Sequence, residues 1–268
     1  MPRHRSLAAA ADKYALYERS VQEPDADTPF LERTFRKLRG RPARSLREDF
    51  AGTATLACSW VARHRENTAV AIDLDPEPLD WGRRHNLARL DPEQQSRVKL
   101  VEGDVRDVGF DPVDVCVGYN FSYFLFRTRP ELLSYFRAAR ASLVSDGLLF
   151  LDAYGGPQAM EPLTEATEFD DFTYTWEQAD FDPIHQLGTN HIHFDFPDGS
   201  SLPRAFSYQW RLWTLPEIRE LLADAGFAES QVYWEGTDRR TGEGNDVFTR
   251  RERGGPDPAW VAHIVALP

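Results

Sequence analysis

The sequence predicts an α/β fold, a mostly parallel sheet flanked by helices, with a separate antiparallel β segment inserted after the fifth strand. Three observations carry this expectation. From about Leu46 to Tyr154 short apolar runs alternate with helix-length stretches, which is what parallel strands joined by right-handed crossovers require. After Gly155 the chain turns aromatic and rich in β-formers, with turns at Asp182-Pro183 and Asp198-Gly199, a hairpin pattern. Two more strand-like runs close the chain.

Taken in order, a helix is expected around Tyr14 and Tyr17, and Arg33–Arg47, with seven cationic residues, reads as a solvated helix followed by a linker. The first strand ends near Arg44–Glu48. Strands at Ala69–Asp73, Arg97–Glu102, Val113–Gly118 and Gly147–Asp152 follow, separated by helices over Thr55–His64, Glu77–Leu90 and Pro130–Leu143. The second of these helices begins at a Pro-Glu-Pro turn and carries Leu79, Leu87 and Leu90 on one face. Two to four antiparallel strands are expected between Phe169 and Trp213, among them His191–Phe196 and Ala205–Leu212. Thr214 caps a helix over Pro216–Ala225, and Gly226 stops it. Gln231–Glu235 and Trp260–Ala266 are the last strands, and the polar, glycine-rich Gly236–Pro258 between them is a candidate substrate lid through Gly242–Asp246. The expected division is 1–42 as an N-terminal helical lid, 43–154 with 214–268 as the main domain, and 155–213 as the β insertion.

Composition excludes several classes. With 41% hydrophobic residues the chain of 268 residues can bury an ordinary core. No apolar run reaches the roughly 18–20 residues that span a bilayer, and the start lacks the apolar stretch of a secretory signal, so a cytoplasmic, non-membrane protein is expected. Cys58 and Cys116 fall in apparent core elements and read as small apolar residues. A net charge of −12 disfavours nucleic acid as a partner. Oligomeric state is not legible.

In a parallel sheet ligands sit beyond the carboxyl ends of the strands. The first such turn is Asp49-Phe-Ala-Gly-Thr-Ala54, small enough at Ala51, Gly52 and Ala54 for close backbone approach. It lacks the glycine pattern that lays a pyrophosphate on a helix N-terminus, and it opens with Glu48 and Asp49. Two carboxylates repel a diphosphate but suit the sulfonium and ammonium of S-adenosylmethionine. Asp73, ending the second strand, can accept both hydroxyls of a ribose, a role Asp75 could share. Asp104, just after the third strand, can receive the amine of adenine, with Val105 over a ring face.

These residues resemble the class I S-adenosylmethionine-dependent methyltransferases. Glu48-Asp-Phe-Ala-Gly-Thr-Ala54 is similar to that family's first motif, Ala71-Ile-Asp-Leu-Asp75 to its second and Glu102-Gly-Asp-Val105 to its third. Phe50 and Ala54 stand where the first and last motif glycines are usual, and whether Glu48 or Asp49 faces the methionine moiety stays open. Lys13-Tyr-Ala-Leu-Tyr-Glu18 through Gln22 resembles a lid helix of one subgroup. The resemblance implies a Rossmann-like, seven-stranded sheet with a terminal antiparallel hairpin. It also implies a cofactor site of Tyr14, Tyr17, Glu48, Asp49, Phe50, Ala51, Gly52, Thr53, Asp73, Leu74, Asp104, Val105 and Asn120.

The fourth strand runs into Tyr119-Asn-Phe-Ser-Tyr-Phe124, which in the resembled family faces the methyl group. Asn120 is the candidate to orient a nitrogen or oxygen acceptor, with Tyr119 and Tyr123 as walls and Ser122 as a hydrogen-bonding group. His185, His191 and His193 are candidate general bases, with Tyr119 and Asp152 behind them. The 191/193 pair lacks a third ligand, so no metal is expected. Aromatics Phe172, Tyr174, Trp176, Tyr208, Trp210 and Trp213 could wall a planar or cationic acceptor, and Arg211 could hold an acidic one. The expected activity is methyl transfer to a small molecule. The competing readings are a catalytically silent adenosyl-ligand-binding module acting through a partner, an enzyme using the same cofactor for other chemistry, and a nicotinamide-dependent enzyme, which the missing glycines disfavour.

Overall fold

A computed structural model describes residues 5–107, 109–238, 240 and 244–268. Three helices open the chain, α1 (Leu7–Ala10), α2 (Lys13–Val21) and α3 (Pro24–Arg39). The alternating region follows as β1 (Ser45–Asp49), α4 (Thr55–Arg63), β2 (Thr68–Asp73), α5 (Pro76–His85), α6 (Pro92–Gln95), β3 (Val98–Glu102), β4 (Val113–Gly118), α7 (Arg129–Ala141) and β5 (Leu143–Gly155). Then come β6 (Leu163–Glu168), β7 (Thr173–Asp182), β8 (Leu187–Asp195) and β9 (Ser201–Arg211). The chain closes with α8 (Leu215–Asp224), β10 (Glu229–Thr237), β11 (Gly244–Arg250) and β12 (Trp260–Leu267).

The helices start where local chemistry satisfies their free N–H groups. Thr128 with Glu131 and Thr214 with Glu217 form reciprocal capping boxes on α7 and α8, and Asp75 caps α5 ahead of Pro76. Alternation within β5 divides the core. Leu148 and Phe150 pack on the side holding α3 and α4, while Leu149 and Leu151 pack on the side holding α7 and α8. Every residue of β4 is buried, as a central parallel strand covered on both faces should be.

One sheet has the order β11-β10-β12-β5-β4-β1-β2-β3, and β6-β7-β8-β9 form a second, antiparallel sheet. β1 to β5 are mutually parallel where they pair, β12 joins β5 antiparallel, and β10 joins β12 antiparallel in turn. The main sheet therefore has eight strands where seven were expected. The addition is β11, inside the presumed loop Gly236–Pro258; of the proposed lid tip, Gly242 and Glu243 lie outside the described residues and Gly244–Asp246 belong to this strand. β11 is exposed along most of its length, so it carries no apolar alternation for sequence reading to detect.

Three boundaries also differ. The helix expected to Leu90 ends at His85, before a short 3-10 turn over Leu87–Arg89. α7 stops at Ala141 because Leu143 is already strand. Within Arg33–Arg47 the expected helix runs to Arg39 with Arg33, Arg36 and Lys37 exposed but Thr34 and Phe35 buried, the linker is 40–44, and Ser45–Arg47 already belong to β1. Among the described residues no helix is long and apolar enough to cross a membrane.

Candidate functional site

The turn after β1 is held in an uncommon shape. Phe50 has φ 57° and Ala54 φ 55°, left-handed values that cost a side-chain-bearing residue roughly 1–2 kcal/mol. Glycine, usual at both places in the resembled motif, adopts such values without that cost. Gly52, also left-handed at φ 52°, donates its N–H to Asp73 Oδ2 at 2.7 Å, and the other Asp73 oxygen accepts the N–H of Asp75 at 2.9 Å. Asp73 thus ties the β1 turn to the β2 turn, and its burial raises its pKa. Asp75 itself is spent as the cap of α5.

A cavity of ≈ 560 Å³ opens above these turns. From the main sheet it is bordered by Phe50, Gly52, Thr53, Asp73, Leu74, Asp104, Val105 and Asn120, and from α2 by Tyr14 and Tyr17. Ten of the expected cofactor residues therefore surround one space. Asp104 lies in a salt bridge with Arg106, whose guanidinium and backbone N–H hold the carboxyl below its usual pKa. Ala51 is buried, its N–H on the carbonyl of Ile72, and does not border the space.

Glu48 and Asp49 point to opposite faces of β1. Asp49 is fully enclosed, with Arg47 Nε at 2.7 Å and the Cys116 thiol donating at 3.3 Å. Glu48 accepts the N–H of Ala57 in the first turn of α4 at 2.8 Å, and burial pushes its pKa up to about 8. Both border a small recess of ≈ 20 Å³ together with Asp27, Tyr119 and Asn120; among its described residues there is no Lys, Arg or His. Asp27 is likewise raised to about 7 by burial. Asp49 is paired with Arg47, whereas Glu48 and Asp27 have no cationic partner among the described residues. Tyr119 is enclosed beside His263, and its hydroxyl has no hydrogen-bond partner among the described residues.

Asn120 borders this recess, the large cavity and a further cavity. It and Phe121 are both left-handed, at φ 59° and 56°. Their N–H groups bind the two oxygens of Asp152 at 2.7 and 2.9 Å, and Tyr123 donates to the Asp152 carbonyl at 2.7 Å. Asp152 is buried, which raises its pKa to about 7 against the pull of those N–H groups. Tyr123 is core, and Ser122 bonds back to Tyr119 while bordering the large cavity.

The further cavity, ≈ 380 Å³, lies between the ends of β5, β10 and β12 and one face of the second sheet. Tyr174, Trp176, Tyr208 and Trp210 border it as expected, whereas Phe172 and Trp213 are core residues. The histidines are not brought to it. His185 stands exposed on the β7–β8 turn against Asp182, because that hairpin points its tip into solvent. His191 and His193 occupy the opposite sheet face, bonded to Ser207 and Glu177. Arg211 lies over Trp213 and pairs with Glu217, outside both cavities.

Several residues here escaped sequence reading. Asn86 donates to the Thr53 carbonyl and to Glu18, and Glu18 in turn accepts from the Thr53 hydroxyl. One turn earlier, Gly82 approaches so closely that a Cβ would stand 2.1 Å from the Thr53 oxygen. A glycine inside a helical pattern was the available signal. Asp27, Glu165, Glu235 and Trp260 carried none, being ordinary in their local sequence.

No protein-family model matches the chain, and no curated protein matches it in sequence. Solved structures do match in fold. An S-adenosylmethionine-dependent methyltransferase from Clostridium acetobutylicum is 15% identical with a TM-score of 0.68, covering 95% of this chain and 97% of its own. DesVI of Streptomyces venezuelae is 18% identical with a TM-score of 0.68, covering 97% and 98%. The sugar N-methyltransferase KedS8 of Streptoalloteichus is 18% identical with a TM-score of 0.63, covering 95% and 92%. At such identities the likeness is one of fold.

Proposed function

We propose that this chain is a class I S-adenosylmethionine-dependent methyltransferase acting on a nitrogen or oxygen of a small molecule. One observation carries the reading: two cavities, one ringed by the three cofactor-type turns and one aromatic, meet at Asn120. A cofactor cavity alone would suit a silent binding module; a second cavity sharing its wall supports an enzyme. Two of these matched structures are named as methyltransferases, one of them a sugar N-methyltransferase, which supports the same activity.

The residues fit the cofactor. The large cavity lies within the ~300–1,000 Å³ of small-molecule sites, and Glu48 and Asp27 of the recess, neither in an ion pair among the described residues, suit a cationic amino-acid end. Bound S-adenosylmethionine would supply a methyl group on a cationic sulfur. Asp73 would accept the ribose hydroxyls, Asp104 the adenine amine, and Leu74 and Val105 would cover the ring. Glu48 and Asp27 would face the ammonium, with Tyr14 and Tyr17 closing the site from α2. Asn120 would orient the acceptor, its backbone fixed by Asp152. In-line alignment and exclusion of water supply the rate; good alignment is worth up to about 7–11 kcal/mol.

Calorimetric titration with S-adenosylmethionine and S-adenosylhomocysteine tests this. The expected result is micromolar binding of both, lost in Asp73→Ala. No heat with either ligand returns the chain to an α/β protein without an assigned cofactor.

A further inference from the structure

The second cavity differs in character from the first. Its wall from the antiparallel sheet comes from alternate residues, Glu165 of β6, Trp176 of β7, Tyr208 and Trp210 of β9, so one face of that sheet is turned inward. Glu165 and Trp176 are direct cross-strand partners. Trp176, Tyr208 and Trp210 form a row of near-parallel rings, with centroids 5.9 Å apart for Trp176–Trp210 and 4.6 Å for Tyr208–Trp210. From the main sheet Glu235 and Trp260 face them.

Among the described residues no Lys, Arg or His lines this cavity. The sheet's histidines bond on its opposite face and Arg211 is turned onto Trp213. Glu235 accepts backbone N–H groups of the neighbouring strand, that of Asp246 at 3.1 Å and that of Asn245, and burial raises its pKa. An anion entering here would meet two carboxylates and, among the described residues, no countercharge, at a heavy desolvation cost. A cation would meet aromatic faces and both carboxylates.

We infer that this cavity selects a cationic, amine-bearing acceptor, from the juxtaposition of Glu165 and Glu235 with the Trp176–Tyr208–Trp210 row. The inference rests on the methyltransferase reading above and adds its substrate class. The carboxylates and rings draw in the ammonium form, which loses one proton to solvent to become the nucleophile. The amine lone pair then forms the N–CH₃ bond while the electron pair of the S–CH₃ bond leaves with sulfur. The product carries the positive charge as a methylammonium ion.

The test uses the full chain saturated with S-adenosylhomocysteine and three probes of one shape: phenethylamine, phenethyl alcohol and hydrocinnamate. Their affinities are read from tryptophan fluorescence. The amine is expected to bind about tenfold or more tighter than the alcohol, and the carboxylate weakest. A Glu165→Gln/Glu235→Gln variant is expected to lose that preference while binding S-adenosylhomocysteine unchanged; a glutamine oxygen at position 235 can still accept from Asp246, which preserves the fold. Equal or tighter binding of the alcohol or carboxylate overturns the inference. So does a preference that survives in the double variant, or binding of S-adenosylhomocysteine without any probe. Failure of S-adenosylhomocysteine itself to bind falls instead on the methyltransferase reading.

Discussion

The carboxyl groups with the most strongly raised pKa values, buried Asp152 and Glu48 and half-buried Asp27, set the expected response of the site to pH. Asp27 and Asp152 are raised to about 7 and Glu48 to about 8, in each case chiefly by burial, against ~4 for such groups in an unfolded chain. Between those values the folded protein holds more protons than the unfolded one, so stability falls as pH rises through this window. Urea midpoints are expected to decline between about pH 5 and pH 8, and Asp152→Asn to flatten part of that slope. A cationic ligand has the opposite linkage: it favours the ionised acids, expels protons and binds more tightly as pH rises through about 7–8. Titration calorimetry in buffers of different ionisation enthalpy reads this directly. An affinity independent of pH would show that the ligand's charge lies away from Asp27 and Glu48.

Among the elements, α5 holds the turn after β1 more tightly than its sequence suggests. Gly82 and Asn86 lie one turn apart and together seat the Thr53 carbonyl. Gly82→Ala puts a methyl group against backbone oxygen, which has no rotamer with which to escape. A stability loss of about 1–3 kcal/mol is expected from urea unfolding, along with weaker S-adenosylhomocysteine binding because the turn moves. The segment before α3 acts as a strap across both sheets. Asp12 accepts from Trp81, Arg19 pairs with Asp171, and Tyr14 and Tyr17 pack on Phe206. Its exposed ion pairs, Lys13–Glu77 and Arg19–Asp171, are worth little, ~0–1 kcal/mol each, while Tyr14, Tyr17 and Gln22 border the large cavity, so we propose that the segment serves as its cover. Removal of residues 1–22 is expected to cut cofactor affinity at least about tenfold with the far-ultraviolet circular dichroism retained. Unchanged affinity and turnover would deny the strap a role in binding.

For the molecule as a whole, two sheets enclose the paired cavities, and the antiparallel one presents unlike faces. Its inner face borders a cavity, while its outer face holds His191, His193 and Glu177 in local hydrogen bonds. Trp176→Ala is expected to weaken phenethylamine binding several-fold, about 1 kcal/mol, and to leave S-adenosylhomocysteine binding unchanged. His193→Ala should alter neither titration. An equal effect of the two substitutions would mean that the sheet contributes through stability alone.

The sequence by itself determined the parallel sheet, the turns after β1, β2 and β3, and the change to antiparallel strands after β5. Those features rest on local periodicity, caps and small-residue turns, which neighbouring residues encode. Only the tertiary structure decided the fates of Glu48 and Asp49, since strand alternation sends them to opposite faces and register alone says which face holds Arg47 and Cys116. It alone withheld His185 from the cavity, revealed the exposed edge strand β11, and brought Glu165, Trp176, Glu235 and Trp260 to one space. Those residues are far apart along the chain and individually ordinary, and their meeting depends on how the second sheet folds over the carboxyl ends of the first.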